Sequence, residues 1–256
     1  MIEQRGDPRE LGPWLDGHDV ADVYDAWCAS LETLDTEGAV AALATLAGDG
    51  PVLELAIGTG RLALPLAARG LEVQGIDASA EMVAKLHEKP GGDQILVTIG
   101  DLVDVAVSGS FSLVFIVFNT FFGLRSADDQ ARCFRNVRAH LTEGGLFVIE
   151  SSVPDLKRFA ADGEKSVRRL DFNETTVIDT ATHDRAAQRV DQEHIVMRAD
   201  GTSVVPFSVR YAYPDELDNM AEAAGMRLLD RWGGWRREPF SDPTISFISI
   251  YQAVGA

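Results

Sequence analysis

Between residues 52 and 150 the chain alternates short apolar runs with amphipathic stretches. The apolar runs 52–57, 71–76, 94–99, 112–118 and 146–150 are strand-sized. Between them, residues 61–69, a stretch from Ser79 to about Lys89 and a stretch from Ser126 to about His140 place apolar side chains on one helical face. Ser79 and Ser126 are side chains that cap helix starts, with Glu81 and Asp128-Asp129 in the first turns. Gly70 suits a helix end, and Gly48-Asp49-Gly50-Pro51 and Pro90-Gly91-Gly92-Asp93 break the pattern. This rhythm predicts an α/β fold with a doubly wound, mostly parallel sheet. Both faces of such a sheet are covered, which accounts for a run from Leu113 to Phe118 with no polar alternation.

The pattern changes on either side. Residues 18–47 carry Val20, Val23, Tyr24, Trp27, Leu31 and Leu34 at three- and four-residue steps, predicting one or two amphipathic helices. Before them, Gly6, Pro8, Gly12, Pro13 and Gly17 mark a loose arm. After Ser151, residues 174–180, 188–197 and 203–212 are β-rich with no helical spacer, and Asp200-Gly201 is a hairpin signal, so an inserted antiparallel sheet is expected. Pro214 opens a helix with Leu217, Met220, Ala221 and Ala224 on one face, and Gly225 ends it. Residues 226–232 and 244–252 read as a closing antiparallel pair. The expected organisation is a flexible arm at 1–17, a helical lid at 18–50, a sheet domain at 51–153 with 213–256, and an inserted β lid at 154–212.

Composition narrows the partners. A net charge of -17 over 256 residues repels phosphate backbones, so nucleic acid is not an expected partner. The two cysteines, Cys28 and Cys133, form no C-x-x-C pattern, and no histidine pair has metal-ligand spacing; neither zinc nor a disulfide framework is expected. Residues Met1 to Gly12 are polar, and no apolar run approaches the ~18 residues that span a bilayer. A cytoplasmic protein acting on a small molecule, as monomer or homodimer, is the expectation.

The candidate chemistry gathers at strand ends. Gly58 and Gly60 let the backbone approach a ligand closely, and the helix start behind them favours a negative ligand group. Asp77 ends the second strand, where a carboxylate can accept both hydroxyl hydrogens of a ribose. Gly100-Asp101-Leu102 ends the third strand, with Asp101 placed for an adenine amino group. Phe118-Asn119 ends the fourth, beside the reactive end of a bound cofactor. Glu54 faces a bound cation or amine, or orders the glycine bend.

Together, Glu54-Leu-Ala-Ile-Gly-Thr-Gly60, Asp77, Gly100-Asp101 and Phe118-Asn119 resemble the class I S-adenosylmethionine-dependent methyltransferases, over residues ~20–150 and through the closing elements. Within that family the helical lid and inserted sheet resemble enzymes acting on small molecules, including amino sugars and other natural products. The resemblance implies a seven-stranded Rossmann-like sheet and S-adenosylmethionine as cofactor, leaving as S-adenosylhomocysteine. It implies cofactor contacts from Tyr24, Glu54, Ala56, Gly58, Gly60, Asp77, Ala78, Met82, Gly100, Asp101, Leu102 and Phe118. Ala56 departs from the family's more frequent Gly or Cys, and slight crowding is the expected consequence.

Asn119, His194 and Tyr24 are the candidate catalytic residues, a histidine being able to take a proton near neutral pH. Asn119, Phe122, Tyr211 and Trp235 are candidates for the acceptor. His183, in Thr182-His183-Asp184, reads as an exposed turn residue, and Arg236-Arg237 as a solvated pair. Two rivals remain. Gly58-Thr-Gly60-Arg-Leu-Ala63 also fits the dinucleotide pattern of a nicotinamide dehydrogenase, but Glu54 and the antiparallel closing pair weigh against it. The fold could also bind S-adenosylmethionine without methyl transfer, as a cyclase-type enzyme or a binding module.

Overall fold

The structure, a computed structural model, describes residues 20–255 except 32–33, 160–164, 173–174, 200 and 243–245. The expected arm at 1–17 lies outside the described residues. The chain forms two compact units, one of residues 35–153 and 212–256, the other of residues 1–34 and 154–211. Residues 18–50, expected to act as one helical lid, are divided between them.

The larger unit is built on a seven-stranded sheet. Helix α2 (Thr36–Ala47; α1 belongs to the other unit) is capped by Asp35, whose Oδ1 accepts the Gly38 N–H. Then come β1 (Val52–Leu55), α3 (Ala63–Ala68), β2 (Val73–Asp77), α4 (Ala80–His87), β3 (Leu96–Ile99), β4 (Phe111–Ile116), α5 (Ala127–His140) and β5 (Leu141–Ser151). After the excursion through the other unit, α6 (Pro214–Ala223), β10 (Met226–Trp232) and β11 (Phe247–Ala253) complete it. Ser79 and Ser126 cap α4 and α5 as their side chains predict, bonding the Met82 and Asp129 N–H groups.

The strand order is β10-β11-β5-β4-β1-β2-β3. From β1 the chain winds outward through β2 and β3, then returns to β4 on the other side of β1. The switch point, where α/β sheets bind ligands, therefore lies between the carboxyl ends of β1 and β4. β11 runs antiparallel between β5 and β10, and a register shift between Leu228 and Asp230 interrupts the β10 edge. All four β1 residues are buried, as are Leu113 to Ile116 of β4, which fits a two-sided apolar core.

Two strands end earlier than their apolar runs, for one reason. Ala56 has φ +59°, and Phe118 and Asn119 have φ +60° and +62°. A left-handed residue cannot continue a strand, so β1 stops at Leu55 and β4 at Ile116. Phe122, expected to meet an acceptor, lies in the turn after Asn119 with no exposed surface, its ring 6.5 Å from that of Phe121. It is a core residue.

The smaller unit holds α1 (Val20–Ser30) and a four-stranded antiparallel sheet: β6 (Lys165–Phe172), β7 (Thr175–Asp184), β8 (Arg189–Arg198) and β9 (Gly201–Arg210), in that order. The first strand was not predicted, because Lys165, Arg168, Arg169 and Asp171 interrupt any apolar alternation. β7 continues past residue 180, so His183 sits within a strand and is buried, not in an exposed turn. Among the described residues, no helix is long and apolar enough to cross a membrane.

Candidate active site

The bend after β1 is the centre of the larger unit's carboxyl edge. Gly58 and Gly60 have φ +55° and +80°, which glycine adopts freely. Asp77, at the end of β2, ties the bend down: its Oδ2 accepts the Gly58 N–H at 2.7 Å and its Oδ1 accepts the Ser79 N–H at 2.8 Å. Each oxygen keeps a further lone pair for a ligand hydroxyl. Met82 packs over the bend, its methyl 3.2 Å from where a Gly58 Cβ would stand. Ala78 is exposed beside it.

Behind the bend lies a buried carboxylate. Loss of water around Glu54 pushes its pKa up to about 8; Arg61 opposes the shift and the Asp77 charge adds to it. Glu54 Oε2 and Arg61 Nε are both buried without a hydrogen-bond partner among the described residues. An orphaned acceptor and an orphaned donor, both belonging to the glycine bend, suit a ligand end that carries an amine and a carboxylate. Arg61 is otherwise held by its Nη1–H to Thr36 Oγ1 at 3.1 Å and by the Phe118 ring, 5.4 Å away.

Along the same edge, the Gly100 N–H donates to the Asp77 carbonyl at 2.9 Å. Asp101 is exposed, with Oδ1 accepting the Val103 N–H at 2.8 Å, and Leu102 is half-buried beside it. The Asn119 amide oxygen accepts the Ser152 N–H at 3.1 Å. Trp235 is nearly buried, and its indole Nε1–H donates to Glu150 Oε1 at 2.8 Å. Sequence reasoning assigned Arg61 and Glu150 no role. The available signal for Glu150 was its place as an acid ending an apolar strand, the same signal that singled out Asp77.

Three of the candidates belong to the smaller unit. Tyr24 is half-buried on α1, with its ring 5.9 Å from that of Trp27. Tyr211 is buried, with its hydroxyl 3.0 Å from His183 Nε2. His194 is buried on β8, with Nε2 3.5 Å from Asp179 Oδ1. Asp179 has no exposed surface, and its Oδ2 also faces Arg158 Nη2 at 3.3 Å.

A family model described as a methyltransferase domain matches residues 52–145, which span the bend, Asp77 and the Phe118-Asn119 turn. The solved structure of the CcbJ methyltransferase from Streptomyces caelestis is 35% identical to this chain, with a TM-score of 0.82. The match covers 93% of this chain and 98% of that one. The chain is a class I S-adenosylmethionine-dependent methyltransferase. A curated relative, the cypemycin N-terminal methyltransferase of a Streptomyces species, is 27% identical over 190 residues, 74% of this chain and 78% of its own. The fold is shared with the amino pentose methyltransferase CalS10 of Micromonospora echinaspora at a TM-score of 0.62 and 21% identity, covering 91% and 97% of the two chains.

The cofactor of this methyltransferase is S-adenosylmethionine, leaving as S-adenosylhomocysteine. The bend fits it: glycine backbone for close approach, a strand-end carboxylate, and the orphaned pair of Glu54 and Arg61. Ala56 brings backbone strain where crowding was expected, since its φ of +59° disfavours any residue with a Cβ.

Proposed function

We propose that this methyltransferase moves a methyl group to the nitrogen of a small amine-bearing acceptor. Two relatives support nitrogen: the cypemycin enzyme is an N-terminal methyltransferase and CalS10 an amino pentose methyltransferase. The observation that carries the reading is the whole-length likeness to the CcbJ enzyme, joined to an edge built for an adenosyl amino acid.

In this reading Asp77 holds the ribose hydroxyls and Asp101 the adenine amino group. Glu54 and Arg61 take the amine and carboxylate of the amino-acid end. Gly58, Gly60, Ala56, Met82, Ala78, Gly100, Leu102 and Phe118 line the cofactor, and Asn119 and Trp235 face the acceptor side. When bound, the cofactor supplies a methyl activated by a sulfonium. The protein holds the acceptor nitrogen in line with the carbon–sulfur bond and keeps water out, a positioning task that supplies several kcal/mol. The nitrogen lone pair forms the new bond, the carbon–sulfur bond breaks, and the positive charge passes from sulfur to nitrogen. A neutral amine needs no base for this step, so no proton transfer is assigned to His194. Two thiols outside any disulfide, Cys28 and Cys133, suit work in the cytoplasm.

The test is incubation with methyl-labelled S-adenosylmethionine and a panel of glucosamine, prolinamide and an alanine tripeptide, each beside its N-acetylated form. Label on the free amines and none on the acetylated forms is expected. Label on hydroxyl groups, with acetylation making no difference, overturns nitrogen as the acceptor.

A further inference from the structure

We propose that Glu150 is a positioning residue of this methyltransferase, one carboxylate that holds both the cofactor-side turn and the acceptor-side indole. The acceptor half of this proposal rests on the functional reading above; the bonds themselves do not.

Glu150 is the penultimate residue of β5, at the carboxyl edge of the sheet, and is only partly exposed. Its Oε2 accepts the Phe118 N–H at 2.9 Å and its Oε1 accepts the Trp235 indole N–H at 2.8 Å. Its main-chain oxygen accepts the Asn119 N–H at 3.2 Å. Phe118 and Asn119 are consecutive left-handed residues with side chains, a conformation that persists only when its surroundings dictate it. Glu150 supplies the bonds that dictate it, and the Ser152 N–H to Asn119 Oδ1 adds another.

The same carboxylate closes a circuit around the edge. From Phe118 the ring faces Arg61, and Arg61 reaches Thr36 at the start of α2. Next to Thr36, Asp35 accepts the Arg236 Nε–H at 2.9 Å, and Arg236 adjoins Trp235, which returns to Glu150. Five segments distant in sequence thus form one ring of contacts, in which Glu150 joins the Phe118 turn to Trp235. Trp235 also walls a groove of about 370 Å³ against Ala41, Ala42 and Thr45 of α2, so fixing the indole fixes the shape of a recess. Burial raises the Glu150 carboxyl above its ordinary range, opposed by the Phe118 N–H, the Trp235 indole and Arg61.

The charge matters as well as the size. Glu150→Gln keeps one oxygen for the Phe118 N–H but turns an amide NH₂ toward the indole N–H, donor against donor. Trp235→Phe removes the donor and keeps a ring. An acceptor-free measurement follows the indole N–H of Trp235 by ¹⁵N NMR, assigned with Trp235→Phe. In the wild type its shift follows pH with a midpoint above the ordinary carboxylate range, and in Glu150→Gln it does not move with pH. With the amine from the panel that the wild type turns over best, each variant raises the acceptor KM by about tenfold or more, as expected for a lost bond to a charged group. The double variant adds little to either, because both remove the same bond. Affinity for S-adenosylhomocysteine changes by less than about threefold.

An indole resonance indifferent to Glu150→Gln, or KM effects that multiply in the double variant, overturns the proposal. So does a loss of cofactor affinity equal to the loss in KM. Should the wild type methylate none of the amines, the nitrogen reading fails, and the resonance still decides the bond between Glu150 and Trp235.

Discussion

The two sheets of this methyltransferase keep their polar residues in different places. In the parallel part of the seven-stranded sheet the strand interiors are largely apolar and the buried acids stand at or near the carboxyl ends: Glu54 within β1, Asp77 closing β2 and Glu150 near the end of β5. In the four-stranded sheet the buried polar groups lie within the strands: Asp179 and His183 on β7, His194 on β8. The first arrangement leaves lone pairs and donors for a ligand. The second sets its acid against neighbours of its own unit, Asp179 between Arg158 and His194, and His183 Nε2 against the Tyr211 hydroxyl, while both His194 ring nitrogens lack a hydrogen-bond partner among the described residues. A buried acid at a sheet's ligand edge is therefore a candidate for ligand binding, whereas the buried acid of the small sheet, Asp179, already faces the guanidinium of Arg158.

Removing the acid at the middle of the small sheet should have the largest effect. Asp179→Ala leaves the Arg158 guanidinium, 16% exposed, without its carboxylate, and is expected to lower stability by about 3 kcal/mol in urea unfolding, at the low end for a broken buried pair. Affinity for S-adenosylhomocysteine should hold in the folded variant; a matching loss of affinity would erase the distinction between the sheets. Asp77→Ala should do the reverse. It strips two backbone N–H groups of their acceptor and, on the proposed placement of the cofactor, the ribose as well, weakening S-adenosylhomocysteine by about 1–3 kcal/mol in calorimetry.

Glu54 gives a third effect, with a sign fixed by its environment. The unfolded chain loses this proton near 4.5 and the folded protein near 8, so between those values the folded state binds more protons. The cofactor-free protein loses stability as pH climbs through that window. On the proposed placement, a cofactor amine beside Glu54 favours the ionised form, so binding at pH 7 should release most of one proton. Affinity for S-adenosylhomocysteine should rise with pH below about 8, by at most about tenfold per unit. Calorimetry in buffers of different ionisation enthalpy reads the proton, and Glu54→Gln should abolish it. The smallest effect is expected at Ala56. With φ +59°, Ala56→Gly relieves a left-handed Cβ and should raise stability by about 1 kcal/mol or less in the same urea experiment.

The larger unit was legible because local rules govern it. A serine with a free N–H three residues on makes a helix start whatever surrounds it, as at Ser79 and Ser126. A Gly-x-Gly between strand and helix makes a bend, as at Gly58 and Gly60. Asp77 and Asp101 followed from standing at strand ends. What escaped depends on partners remote in sequence. Glu150 reaches a residue 32 positions back and another 85 ahead. His183 was misplaced because burial of a polar strand residue needs partners remote in sequence, here the Tyr211 hydroxyl, 28 positions away. Phe122 went wrong differently, since a turn following left-handed residues points its rings inward, and apolar spacing carries no sign of that reversal.

The placement of β11 has a consequence for synthesis. It pairs with β5 on one side and β10 on the other, and Arg138 bonds the main chain just past it, at the Val254 carbonyl. Both neighbours leave the ribosome first. Until β11 follows them, β5 presents a bare edge from Leu146 to Ser151 and β10 has no place in the sheet. The nascent enzyme thus carries an open slot that its own last strand must fill from within, and that interval is when it is most exposed to mispairing.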